Sequence, residues 1–281
     1  MIEKRPSFDA AAPAELPPAV APVKLRQLGF DGGVIDRLDF LAEEVPVALV
    51  YNGISHAVMM ASPADLEDFA LGFSLSEGII AGSNEIRDIE TVTHEKGIEV
   101  KIELASERFH QLKERRRTIA GRTGCGLCGL DSLDAVARDL PVVTAATQVS
   151  LGAIDKALHA LSPAQVMNAK AHALHAAAFA DIDGNLLLVR EDVGRHNALD
   201  KLIGALMAKK IDTTSGFGLI TSRCSVEMVQ KAAIAGLPLL VSVSAPTAMA
   251  VRVADEAGIT LLALARRDSA LSLTHPNRIL P

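Results

Sequence analysis

From about Leu174 to the C-terminus, short aliphatic runs with strand spacing alternate with runs of helical spacing, and this constrains the fold more than any other property of the chain. Residues 176–181 and 186–189 flank Asp183-Gly184, which reads as a hairpin. A helix is expected after Gly194, with Ala198, Leu199, Leu202, Ile203 and Leu206 on its inner face. Strands are expected at 217–221, 239–243 and 259–264, separated by helices at 225–235 and 247–257. Such alternation implies parallel strands joined by crossover helices. The expected class is therefore α/β, with the core in residues 131–281.

The first half reads differently. Residues 1–22 are rich in Ala and Pro and lack periodicity, as in a disordered tail. Residues 23–120 predict a smaller α+β region. Within it, 45–50 and 54–60 flank Asn52-Gly53, the strongest short hairpin signal in the chain. Ser62-Pro63 predicts a helix start with Ser62 as N-cap, and Leu66, Phe69, Ala70 and Phe73 then share one face. Residues 86–92 and 98–104 form a second expected strand pair about Lys96-Gly97. A helix over 107–119 carries Phe109, Leu112 and Ile119 on its apolar side and Lys113, Arg115, Arg116 and Arg117 towards its end. It runs into GRTGCGLCGL, residues 121–130, whose glycines predict a mobile loop.

Apolar residues make up 49% of the 281, enough for a sizeable core. The formal net charge of −6 argues against a nucleic-acid partner. No run is long and apolar enough to span a bilayer, and no signal-peptide pattern opens the chain. A cytoplasmic protein without a membrane partner is expected. Its three cysteines, Cys125, Cys128 and Cys224, are too few for a disulfide scaffold.

In open α/β sheets, ligands sit outside the carboxyl ends of the strands. Here those ends are expected to carry Asp192, Arg195 and His196; then Ser222, Arg223 and Ser225; then Ser244 and Thr247; then Arg266, Arg267, Asp268 and Ser269. If the strands are parallel, these loops share one edge. Helix N-termini there offer N–H groups to phosphate oxygens, the arginines add charge-assisted contacts, and Asp192 is placed to accept from a guanine. Each Ser, Thr or Asp is by itself more often a helix cap than a ligand contact. Repetition across four loops is what favours a shared nucleotide-like site.

Cys125 and Cys128 sit among glycines just after the arginine run. Nearby positive charge favours thiolate, which can take up sulfur from a donor persulfide. Half a zinc site, a redox pair and an inert loop pair remain alternatives, although a structural zinc needs four ligands and the chain has no second CxxC. Cys224, between a strand and a helix, reads as a small buried hydrophobe. His172 and His175 read as packed histidines, and His196 as a ligand-contact candidate.

Several long strings resemble the FdhD family: EEVPVALVYNGIS at 43–55, FALGFSLSEGII at 69–80, AGRTGCGLCG at 120–129, EDVGRHNALDK at 191–201 and EMVQKA at 227–232. The resemblance runs from about Leu38 to Ile279. It implies a sulfurtransferase required for formate dehydrogenase activity, taking sulfur from a cysteine desulfurase as a persulfide on Cys125. It further implies transfer of that sulfur to the molybdenum bis(molybdopterin guanine dinucleotide) cofactor, held as a substrate, before insertion. Cys128 matches the family's second cysteine. The family implies homodimers and a cytidine deaminase-like three-layer core. Its cofactor-contact segment corresponds to Leu264, Ala265, Arg266, Arg267, Asp268 and Ser269, where GDP-like nucleotides are also expected to bind. This chain departs from the family at Asp268 and Ser269, which stand where a Gly-Arg pair is expected. No metal site is implied, because the deaminase His-x-Glu and Pro-Cys-x-x-Cys pattern is absent. A cofactor-binding chaperone without a reactive thiol and a zinc-dependent deaminase-like enzyme are the competing readings.

Overall fold

The computed structural model describes residues 15–120, 139–266 and 268–281, with residues 114–120 by their backbone only. The expected glycine loop and residues 1–14 of the expected tail lie outside these.

The described chain opens with a hairpin of β1 (Val20–Leu28) and β2 (Val34–Ala42). β1 begins inside the stretch expected to be disordered. The pairing escapes a periodicity search because each face of the ribbon mixes apolar residues with charges such as Arg26, Asp36, Arg37 and Asp39.

A four-stranded sheet follows, in the order β4-β3-β6-β5. It comprises β3 (Val45–Tyr51), β4 (Ile54–Ala61), β5 (Ile86–His94) and β6 (Gly97–Leu104). The Asn52-Gly53 turn joins β3 to β4 as expected, both residues having positive φ. The inner face, with Val47, Leu49, Tyr51, Val100 and Ile102, packs on Leu66, Phe69 and Phe73 of α1 (Leu66–Ser76). The basic helix is α2 (Ser106–Ala120).

The second half contains β7 (Val149–Ser150), α3 (Leu151–Ala164), α4 (Asn168–Ala171), β8 (His175–Asp181), β9 (Leu186–Asp192), α5 (Arg195–Ala208) and β10 (Gly216–Ile220). It continues with α6 (Val226–Ile234), β11 (Leu239–Ser242), α7 (Ala248–Glu256), β12 (Thr260–Arg266), β13 (Ser269–Ser272) and β14 (Ile279–Leu280). Its main sheet has the order β13-β12-β11-β10-β8-β9. β10, β11 and β12 are parallel, while β8 and β13 run against them.

Successive strand residues face opposite sides of a sheet, and here both sides are covered. On one, Phe179, Leu188, Ile220, Leu240 and Leu261 meet Leu202 and Leu206 of α5, Met228 and Val229 of α6, and Ala250 and Ala254 of α7. On the other, Ala178, Ala180, Leu219, Val241 and Leu262 meet Ile154, Ala157 and Leu161 of α3. Ser150 caps α3, its hydroxyl accepting from the Ala153 N–H at 3.1 Å. The expected α/β class and three-layer core are therefore what the chain adopts.

The helix expected at Ser62-Pro63 starts later. Asp65, with φ 51°, is the residue before α1. Ser62 serves a different purpose, described below.

Candidate functional site at the carboxyl edge of the main sheet

β9 is antiparallel to β8, and β8 is antiparallel to β10. Hence β9, β10, β11 and β12 all point the same way, and their four carboxyl ends share one edge, as the sequence pattern anticipates. β8 runs opposite and brings its first residue, His175, to that edge between the ends of β9 and β10.

Arg195 and His196 open α5 on this edge and are half-buried. Among the described residues neither Arg195 Nε nor His196 Nε2 has a hydrogen-bond partner, although both atoms are enclosed. Burial lowers the His196 pKa to about 4, helped by the charges of Arg195 and Lys231 and opposed by Glu227 and Glu77. His175 is lowered too, by burial and then by Arg195, against the pull of Asp192. Both imidazoles are thus neutral near pH 7, whereas Arg195, Arg223 and Arg266 carry permanent charge. Arg223 and Arg266 are exposed. Gly194 and Ser225, which precede α5 and α6, make no side-chain cap, so first-turn N–H groups of both helices remain uncapped by them. Thr247, before α7, does cap, accepting from the Ala250 N–H at 3.1 Å.

The last strand end has an unusual backbone. The β12–β13 register shifts between Ala263 and Arg266. Leu264 there has φ 50°, a left-handed conformation that is costly for a side chain of this size. Its N–H donates to the Ser244 carbonyl at 3.2 Å. Ala265 is buried, while Asp268 and Ser269 are exposed in the turn into β13. Arg267 lies outside the described residues, as do Cys125 and Cys128.

Two candidate contacts are corrected by the structure. Asp192 is fully buried and forms an ion pair with Lys201 at 2.6 Å. Its carboxylate also accepts from the N–H groups of Ser62 and Gly194 and from the Asn197 amide, at 3.0, 2.7 and 3.0 Å. Four donors saturate it, so nothing remains for a guanine. Ser222 is also buried; its hydroxyl donates to the Arg223 carbonyl and its own carbonyl accepts from the Ser242 hydroxyl.

A buried polar network that sequence reading missed lies beneath this edge. Lys201 Nζ donates to the Ser62 carbonyl at 3.0 Å, and the Ser62 hydroxyl accepts from the Val193 N–H at 3.1 Å. Beside it, Lys231 pairs with Asp200 at 2.9 Å and donates to the Ser76 hydroxyl at 2.8 Å. Glu191 accepts from the N–H groups of Met167 and Asn168. The string EDVGRHNALDK is thus largely a device that docks the first half on the core. The available signal was the placement of Asp200 and Lys201 among Ala198, Leu199, Leu202 and Ile203, on a helix with no solvent-facing stripe at those positions.

Cys224 is buried, as expected, and burial pushes its thiol up to about 12. It is not a nucleophile near neutral pH. His172, expected to pack, is instead exposed, with φ 53° at the end of α4. No group of three or more His, Cys, Asp or Glu side chains converges among the described residues. No described helix is long and apolar enough to cross a membrane. The edge therefore offers permanent cations, neutral imidazoles and the N-termini of α5 and α6, which suits an anionic, phosphate-bearing ligand better than acid–base chemistry.

Residues 42–280 match the FdhD/NarQ family. A sulfur carrier protein FdhD of Bordetella petrii is 52% identical over 255 residues, covering 91% of this chain and 92% of that protein. A protein of the same name from Cupriavidus necator is 55% identical over 241 residues, covering 86% and 84%. Among solved structures, a crystal structure from Desulfotalea psychrophila, described as a formate dehydrogenase accessory protein, superposes with a TM-score of 0.75 at 22% identity. That likeness covers 94% of this chain and 100% of the other.

Proposed function

This chain belongs to the FdhD/NarQ family, and on that premise we propose that it is a sulfur carrier for formate dehydrogenase maturation that holds sulfur as a persulfide on Cys125. The Cys125 thiolate attacks the outer sulfur of a cysteine desulfurase persulfide. A new S–S bond forms at Cys125, the donor's S–S bond breaks, and the donor leaves as a thiolate. The arginines preceding the cysteine loop favour the attacking thiolate. Cys128, three positions on, is the second thiol available to that chemistry.

The acceptor is the molybdenum bis(molybdopterin guanine dinucleotide) cofactor, bound as a substrate. Arg195, Arg223 and Arg266 and the first turns of α5 and α6 hold its phosphates, and GDP-like nucleotides occupy the same edge. The backbone bulge at Leu264 and Ala265, with the exposed Asp268 and Ser269 beyond it, shapes that end of the site, and Arg267 belongs to the same candidate segment. The observation that carries this reading is the convergence of four strand ends, three with arginines, on one edge. Two guanine dinucleotide arms per cofactor suit a two-fold homodimer with one such edge per subunit. The cytoplasm, where thiols stay reduced, is the fitting compartment.

Intact-mass measurement after incubation with a cysteine desulfurase and cysteine tests the reading. Wild type and Cys224→Ala should each gain one reducible sulfur, and Cys125→Ala should gain none. Wild type that binds GDP but takes up no sulfur would leave only a cofactor-binding chaperone. Full formate dehydrogenase maturation by Cys125→Ala would overturn the persulfide role.

A further inference from the structure

The β1–β2 hairpin has no sheet to join. Its two strands pair only with each other among the described residues. Isolated two-stranded ribbons are marginal in water, and each side of this one exposes large apolar residues among its charges. The register puts Leu28, Val34, Leu38 and Phe40 on one face and Ile35 and Leu41 on the other. Leu28 is 68% exposed, Leu38 63% and Ile35 60%, and Phe30 at the turn is fully exposed. Its charges are largely matched internally, by the Arg26–Asp36 pair at 2.7 Å and the Arg37–Asp39 pair. A ribbon of this kind has little net charge with which to seek a nucleic acid or an anionic lipid surface.

We propose that this hairpin is an arm that clasps a second copy of this chain. A face that must be covered from the moment of folding calls for a partner that is always present, and a second copy meets that condition. The area is also right. Nine paired residues make a ribbon about 30 Å long and about 10 Å wide. α4 of the same chain already lies against β2, with Lys170 over the Phe40 ring, so embedding the rest removes on the order of 450 Å² of arm and a similar area of receiving surface. One arm alone falls short of a stable interface, whereas two reciprocal arms bury about 1,800 Å², the size of a stable protein–protein interface. A receiving surface is present on the same chain: the edge strand β4 exposes Val58 and Met60. The inference rests on the two-fold assembly in the proposed function and names the surface that makes it.

Sedimentation of the full chain, followed from nanomolar to micromolar concentration, tests the arm. Wild type should dimerise, and the triple variant Leu28→Ser, Leu38→Ser, Phe40→Ser should raise the dimer dissociation constant by roughly 100-fold or more. Hydrogen exchange on wild type gives a readout that needs no variant: amides of residues 20–42 should exchange faster once dilution breaks the dimer. A wild type that is monomeric throughout overturns the arm, and so does a dimer indifferent to the triple variant or ribbon exchange indifferent to dilution. Sulfur loading of Cys125, read by mass on the same samples, reports separately on the carrier chemistry.

Discussion

Gly72 of α1 and Gly204 of α5 lie backbone against backbone: a Cβ on Gly72 would stand 1.8 Å from the Asp200 carbonyl oxygen, and one on Gly204 1.9 Å from that of Asp68. Both glycines are helical, so space rather than backbone conformation demands them. Gly72→Ala and Gly204→Ala should therefore each cost about 1–3 kcal/mol or more, because the clash is with rigid backbone. Thermal melting checks this: a drop of only a few tenths of a degree in either variant would show that the helices can part freely.

Lys201→Met leaves the Asp192 carboxylate buried without its cation. Breaking a buried pair from one side costs roughly 3–5 kcal/mol. The double variant Asp192→Asn, Lys201→Met should recover part of that loss, since no uncompensated charge remains. Urea midpoints of the two variants measure the difference, and equal midpoints would show that the pair is not coupled.

His196 makes stability depend on pH. Its folded pKa of about 4 lies below the ordinary histidine value, so the unfolded chain binds the proton more readily. The stabilising contribution is complete above pH ~6.5 and is lost as pH falls towards 4, amounting to about 3 kcal/mol at most. His196→Gln should flatten the urea midpoint across that window. An unchanged slope would place the titration elsewhere.

Arg195 and Arg223 are the proposed phosphate contacts. Arg195→Ala and Arg223→Ala should each weaken GDP binding by about tenfold or more, the scale of one charge-assisted hydrogen bond. Arg26→Ala, on the hairpin, should leave it unchanged. Calorimetric titration with GDP separates the cases, and an equal effect of all three would reduce the contact to general charge.

Local signals carried much of this fold. Asn52-Gly53 and Asp183-Gly184 marked their hairpins, and the alternation after Gly194 marked β10, β11 and β12 as parallel. Failure came where a partner lies far along the chain. Ser62 looks like a helix cap because its fate is settled by Asp192, 130 positions away. Asp192 looks like a ligand contact because nothing nearby in sequence announces that Lys201 turns inward to meet it. His175 joined the edge only because β8 runs against its neighbours, and strand direction within a hairpin-fed sheet is set by tertiary pairing. The cysteine loop lies outside the described residues, and its reading rests on residue chemistry alone.

The Lys201–Ser62 and Gly72–Gly204 contacts also bear on how the chain is made. The half that leaves the ribosome first owns α1 and the Ser62 turn, but the groove that receives them is completed only when residues near 204 have been translated. Until then the nascent α1 has no permanent seat. The early half must wait, and the carboxyl edge of the main sheet becomes whole at a late moment of synthesis.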